Sequence, residues 1–250
     1  MSLTEQQKQR YLRNTILPEI TEEGQEKLLR ARVLVIGAGG LGSPVLFYLA
    51  AAGVGNIGVI DDDVVEISNL QRQVIHNVKN LGQKKVSSAK EKISALNPDV
   101  NLEIFSERAT KDSLRKISAN YDFILDATDN FPTRFIINEI CFEQKKPLIF
   151  AAVKGFLGQV SVFKAYEKNN PCYACFNSNI VDENFSLPLS EKGILGSVAG
   201  TIGALQATTT IKEILGIGES LVGKILISDF LKNEFRKVSL KKSQTCKVCS

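Results

Sequence analysis

Apolar positions in this chain fall into blocks of two kinds, and their alternation sets the expected fold. Short apolar runs at 33–36 and 57–60 have the character of strands buried on both faces. Between them, the turn Gly37-Ala38-Gly39-Gly40-Leu41-Gly42 leads into a helical stretch that ends at 50–52, before Gly53. Ser43 and Pro44 read as its N-cap and first turn. Apolar residues recur at helical spacing over 83–96, where Val86, Ala89, Ile93 and Leu96 form the expected buried stripe. Strands are expected at 102–105, 123–125 and 147–153, with a helix capped by Thr110 and another running from Phe131-Pro132 to Phe142.

Upstream of this alternation, residues 6–30 read as two helical pieces split near Leu17-Pro18. Past Gly158 the pattern changes. Residues 159–164 alternate, 168–171 form a turn, and 176–192 show no period, as in a mobile loop. Residues 196–215 are a glycine- and alanine-rich helix, small enough to pack closely on a neighbour, and 224–230 with 234–240 read as an antiparallel pair. With no repeats and no linker, the expected organisation is one α/β domain: a Rossmann-like, mostly parallel sheet with helices on both faces and antiparallel strands at its C-terminal end.

Composition narrows the classes. Of 250 residues, 44% are hydrophobic and 23% charged, as in a globular protein with a large core. No segment approaches the roughly 18 uninterrupted apolar residues of a membrane span, and MSLTEQQKQR lacks the apolar core of a signal peptide. The expected location is therefore cytoplasmic, where cysteines persist as thiols or metal ligands. A net charge of +4 is too mild to argue for a nucleic-acid partner.

Candidate chemistry clusters at element ends. Glycines let the chain approach a phosphate, a helix N-terminus offers it N–H groups, and Asp61, after the second strand, suits a ribose hydroxyl; together they point to a nucleotide. The long polar connection after Asp61 brings Asn69, Gln71 and Arg72, then Lys84 and Lys85, the fork and point charges a polyphosphate requires. Asp129 follows a strand expected to end beside the glycine turn, where a carboxylate suits Mg²⁺; the alternative is a helix N-cap, and Asp126 could share either role. Cys172 and Cys175, with Cys246 and Cys249, form two C-x-x-C pairs, which suit one closed, structural four-thiolate zinc site. Cys141 reads as packing and His76 as structural, while Arg10 and Arg13 read as a solvated helix face.

Standing in order, Arg10-Tyr11-Leu12-Arg13, the glycine turn, Asp61-x-Asp63, Ser68-Asn69-Leu70-Gln71-Arg72-Gln73, Asp126-Ala127-Thr128-Asp129-Asn130 and both cysteine pairs resemble the MoeB/ThiF family, bacterial relatives of ubiquitin-activating enzymes. The resemblance covers nearly the whole chain. It implies that Gly39 and Gly40 lie under ATP, Asp61 holds the ribose, and Asn69, Arg72 and Lys85 contact the phosphates. It implies too that Asp129 holds Mg²⁺ and that Arg13 reaches the triphosphate of the neighbouring subunit in a homodimer. Residues 1–165 would form the nucleotide-binding part, and 166–250 the part with the zinc site, the crossover loop and the carrier site.

The implied reaction is adenylation of the C-terminal glycine of a ubiquitin-like sulfur carrier ending in Gly-Gly, of the kind that serves molybdopterin or, alternatively, thiamine synthesis. A short peptide's C-terminus is a further candidate substrate. Many relatives carry a cysteine ahead of the glycine-rich helix, whereas 176–192 holds only Ser178, Ser186 and Ser190. The chain is therefore expected to stop at the adenylate, with a separate sulfur donor attacking it. An NAD-dependent oxidoreductase would suit the glycine turn and Asp61 but leaves Arg72, Lys85 and Asp129 without a role. A non-catalytic zinc scaffold is the other alternative.

Overall fold

The computed structural model describes residues 2–167, 169–177 and 193–250. Among them, eight strands form one sheet: β1 (Arg32–Ile36), β2 (Asn56–Ile60), β3 (Asn101–Phe105), β4 (Phe123–Asp126), β5 (Leu148–Lys154), β6 (Leu157–Phe163), β7 (Lys224–Asp229) and β8 (Glu234–Ser239). Their order is β3-β2-β1-β4-β5-β6-β7-β8. The strands from β3 to β5 in that order pair in parallel, and β5 through β8 pair antiparallel. The expected mixed sheet is present. Residues 178–192, with Ser178, Ser186 and Ser190, lie outside the described residues.

The helices are α1 (Glu5–Thr15), α2 (Thr21–Arg30), α3 (Gly42–Ala51), α4 (Lys85–Leu96), α5 (Lys111–Ser118), α6 (Phe131–Glu143), α7 (Tyr173–Asn177) and α8 (Gly196–Leu215). Side chains alternate across a strand, so a strand covered on both faces must be apolar throughout. In β1, Val33 and Val35 join a core with Leu46 and Leu49 of α3, Ile93 of α4 and Ile202 of α8. Leu34 and Ile36 face the opposite core, with Leu114 of α5, Ile137 of α6 and Tyr173 of α7. No helix among the described residues is long and apolar enough to cross a membrane.

The glycines and alanines of α8 permit close approach. A Cβ at Gly203 would sit 2.4 Å from Pro44 and 2.7 Å from the Leu41 carbonyl, and one at Gly196 would sit 2.2 Å from the Gln71 carbonyl. α8 thus lies against the start of α3 and against the loop that carries Arg72. Its buried Gln206 donates through Nε2 to Asp126 O at 2.8 Å and Ile149 O at 3.0 Å, fixing it to β4 and β5.

Two details differ from expectation. α3 begins at Gly42 with Leu41 flanking it, and Ser43, rather than capping, donates its hydroxyl to Gly39 O at 2.7 Å. Leu96 is 41% exposed because α4 ends on it. The next residue, Asn97, turns inward instead and donates to Ala50 O at 2.7 Å and Tyr11 Oη at 2.9 Å, docking α1 onto the domain.

Candidate active site

A cavity of about 790 Å³ opens at the carboxyl ends of the parallel strands and includes Ile36 of β1, Ile60 of β2 and Ala127 after β4. The strand order reverses there, since β1 lies between β2 and β4, and such crevices are where ligands bind in open α/β sheets. Gly39, Gly40, Asp61, Arg72, Lys85 and Asp129 all line it.

The glycines of the turn divide by what surrounds them. Gly37 has φ of +103°, and a Cβ on it would lie 2.7 Å from Ala127 O; a Cβ on Gly42 would lie 2.0 Å from Gly37 O. The protein itself requires glycine at both positions. At Gly39 the nearest atom to an added Cβ is Gln73 Nε2 at 3.7 Å, and at Gly40 it is Arg72 Cγ at 3.4 Å. Both face the cavity, and among the described residues neither N–H has a protein acceptor. Two unpaired donors beside a space that a Cβ would narrow suit an anionic oxygen.

Asp61 closes the turn from the β2 side. Its Oδ2 accepts from Ala38 N at 2.8 Å and its Oδ1 from Asp63 N at 2.9 Å. Burial pushes its carboxyl above the ordinary value, a shift opposed by the Lys85 charge and by those two N–H groups. Lys85 opens α4 with its side chain only 6% exposed, its Nζ 2.7 Å from Asp63 Oδ2. Arg72 donates to Ser68 O at 3.1 Å and lays its stem on Gly40.

Asn69 does not line the cavity. Its Oδ1 accepts from Glu66 N at 3.1 Å, and its carbonyl accepts from Arg72 N and Gln73 N, so it shapes the turn behind Arg72. Arg13 is exposed in the last turn of α1 and does not line its own chain's cavity.

On the β4 side, Asn130 rather than Asp129 caps α6, accepting from Thr133 N at 3.0 Å. The Asp129 carboxylate is left to the exposed lip of the cavity. Asp126 is fully buried and does not share that position. It accepts from Thr128 N at 2.9 Å and Thr128 Oγ1 at 2.6 Å, and Arg134 Nε lies 3.6 Å away. Burial raises its carboxyl above the usual range, with Arg134 and Thr128 opposing.

Sequence reasoning missed Arg134 and Gln73. Arg134 is buried over Phe131 and Phe150, at 5.6 and 5.3 Å from the ring centroids, and donates to Thr128 O at 2.8 Å. It holds the peptide just before Asp129. Gln73 lines the cavity with its buried Oε1 unpaired. Its place beside Arg72 was visible in the sequence, but its inward direction was not. His76 is buried and paired on both ring nitrogens, to Ser88 Oγ and Ala38 O, and buried Cys141 has its thiol pushed up by burial.

Away from the cavity, the four paired cysteines converge. Cys172 Sγ lies 3.5 Å from Cys246 Sγ and 3.8 Å from Cys175 Sγ, and Cys175 Sγ lies 3.4 Å from Cys249 Sγ. All four sulfurs fall within 4.8 Å of one another. These gaps are too long for disulfides of about 2.05 Å. They are close to the roughly 3.8 Å edge of a tetrahedron with metal–sulfur bonds of about 2.3 Å, so the donor set fits a four-thiolate metal site.

Comparison with known proteins agrees with this geometry. Residues 11–248 match the ThiF family. The chain is 41% identical over 252 residues to a sulfur carrier protein adenylyltransferase of Thermus thermophilus, covering 100% of this chain and 93% of that one. It is 41% identical over 249 residues to the SAMP-activating enzyme E1 of Haloferax volcanii, covering 100% and 91%. With a probable molybdopterin-synthase adenylyltransferase of Porphyra purpurea it shares 44% identity over 232 residues, 92% of this chain and 60% of that one. Its fold is similar to that of E. coli MccB in a crystal structure with AMPCPP and MccA, with a TM-score of 0.82 and 26% identity over 96% of this chain and 74% of that one. The family match runs through the glycine turn, Arg72, Lys85, Asp129 and the first cysteine pair, and the chain belongs to the ThiF family.

Proposed function

We propose that this chain is an ATP-dependent adenylyltransferase that activates the C-terminal glycine of a ubiquitin-like sulfur carrier. The observation that carries this reading is the convergence, on one cavity, of two unpaired glycine N–H groups, Arg72, Lys85 and Asp129. A carboxylate oxygen of the carrier attacks the α-phosphorus of ATP. The new O–P bond forms as the bond to the α–β bridging oxygen breaks, and pyrophosphate leaves with that electron pair.

No general base is required, because an α-carboxyl of pKa about 3.5 is already ionised at pH 7. The obstacle is repulsion. Two like unit charges about 4 Å apart cost several kcal/mol at intermediate dielectric. Arg72 and Lys85 lower that cost and stabilise the departing charge, while the Gly39 and Gly40 N–H groups fix the phosphates. Asp61 retains lone pairs for the ribose hydroxyls. Asp129 would hold Mg²⁺, which supplies further neutralisation of the phosphate oxygens when bound.

Arg13, exposed and outside its own cavity, serves the partner's site in a homodimer. Zinc at Cys172, Cys175, Cys246 and Cys249 is structural. Residues 1–165 bind the nucleotide, and 166–250 hold the zinc and receive the carrier. The carrier is MoaD-like and serves molybdopterin synthesis, and a separate sulfur donor consumes the adenylate. Exchange of labelled pyrophosphate into ATP tests the reading, with a MoaD-like and a ThiS-like carrier offered separately. Exchange with the first carrier alone is expected. Exchange with the second alone would move the chain to the thiamine pathway, and none with either would end the sulfur-carrier reading.

A further inference from the structure

We propose that His76 is a positioning residue that turns the Gly39 N–H toward the nucleotide phosphates, an inference that rests on the nucleotide reading above. His76 is the chain's only histidine and is 5% exposed. Its Nε2 lies 3.0 Å from Ala38 O, and its Nδ1 lies 2.9 Å from Ser88 Oγ. A carbonyl only accepts, so Nε2 carries the proton and Nδ1 accepts from the Ser88 hydroxyl. The carbonyl selects this tautomer, and the Ser88 hydroxyl, able to donate or accept, complements it.

The consequence for the site follows from peptide geometry. Ala38 C=O and Gly39 N–H belong to one planar trans unit, in which they point in opposite directions. Tying the carbonyl to a buried imidazole therefore sends the N–H the other way, toward the cavity that Gly39 lines. The Ala38 N–H is held as well, by Asp61 Oδ2 at 2.8 Å. Ala38 is thus gripped at both ends, while the next N–H, with no acceptor among the described residues, is left to a ligand. The grip is needed because glycine opposes a peptide flip only weakly.

Histidine suits this position because it donates on one edge, accepts on the other and is neutral. Burial holds it below its ordinary pKa of 6.5; its bond to Ala38 O opposes that shift, the Lys85 charge adds to it, and Asp61 opposes it. An imidazolium beside Lys85 is thereby avoided at pH 7.

The test measures dissociation constants for ATP and for adenosine with full-length wild type, His76→Leu and His76→Gln, by titration calorimetry. His76→Leu is expected to weaken ATP about tenfold, about 1.4 kcal/mol, and to leave adenosine unchanged. His76→Gln, with an amide able to donate to Ala38 O, is expected to recover most of the loss. Unchanged ATP affinity in His76→Leu overturns the proposal, as does equal weakening of both ligands. Should His76→Leu not fold, Ser88→Ala removes the hydroxyl that holds the far edge of the ring and so loosens its grip on Ala38 O. Weaker ATP with unchanged adenosine then supports the role, and any other pattern overturns it. If wild type binds neither ligand, the nucleotide reading itself fails; if wild type binds and His76→Leu binds equally, only the role of His76 does.

Discussion

A side chain at Gly37 would strike Ala127 O at 2.7 Å on a backbone whose φ of +103° already disfavours L-residues. Gly37→Ala is expected to cost about 1–3 kcal/mol, lowering the melting temperature by roughly 2–10 °C in a chain of this size. Gly39→Ala differs, because its Cβ would meet nothing closer than Gln73 Nε2 at 3.7 Å. Its melting temperature should stay within about 2 °C of wild type while ATP affinity falls, since the methyl group occupies ligand space. Thermal melts and ATP titrations of the two variants, run side by side, check both outcomes. A Gly39→Ala protein that bound ATP normally would place the phosphates elsewhere. Lys85 is the other residue whose fold and ligand roles separate. Its partner Asp63 is 64% exposed, and a pair with so solvated an acid contributes little to stability. Lys85→Ala should keep its circular dichroism spectrum yet lose carrier-dependent exchange by about 100-fold or more. That Gly39, Asp61, Arg72, Lys85 and Asp129 would share one cavity was legible in the sequence, because each stands in the glycine turn, at an element's end or in the long polar connection after Asp61. Arg134 and Gln73 were not, because what they do depends on neighbours distant in sequence, Phe150 and Gly39.

Among the elements, β1 and β2 were legible from short apolar runs bounded by glycine and aspartate, which only doubly covered strands tolerate. α8 was legible to the residue, its composition announcing a close-packed helix, although the sequence did not say that α3 and the Arg72 loop lie beneath it. The start of α3 was misplaced for a local reason: Ser43 has capping chemistry, but Leu41 already precedes the first turn, so the hydroxyl bonds back to Gly39 O. The cysteine pairs were legible by spacing alone, and the structure adds why they matter. Past β8 the chain has no helix or strand, and Cys246 and Cys249 are its buried anchors. Four sulfurs at tetrahedral separation predict about one zinc per chain. Metal analysis of freshly purified, reduced protein checks that number. Cys246→Ser should lose the metal and render the segment after residue 240 sensitive to protease, whereas a metal-free wild type with a protected C-terminus would remove zinc from the account.

For the whole molecule the question is where Arg13 acts. It stands exposed in the last turn of α1, outside its own chain's cavity, and α1 is docked rigidly through Tyr11 and Asn97. A swing of α1 into the chain's own site would require breaking that buried bond, which supports the proposed service in trans. In the proposed two-fold dimer the same patch would meet itself, and each subunit would offer its Arg13 to the other's cavity. This arrangement predicts complementation. Arg13→Ala and Arg72→Ala should each be nearly inactive in pyrophosphate exchange. Unfolded together and refolded as an equal mixture, about half of the dimers should be mixed, each holding one doubly altered site and one intact site. Activity should then return to about a quarter of the wild-type value. A role for Arg13 within its own chain predicts no recovery at all, because every site in the mixture would then lack one of the two arginines. Native electrophoresis of the same mixture, with a charged tag on one variant, separates a failure of subunit mixing, in which only the two homodimers appear, from a failure of the trans assignment, in which mixed dimers form and stay silent.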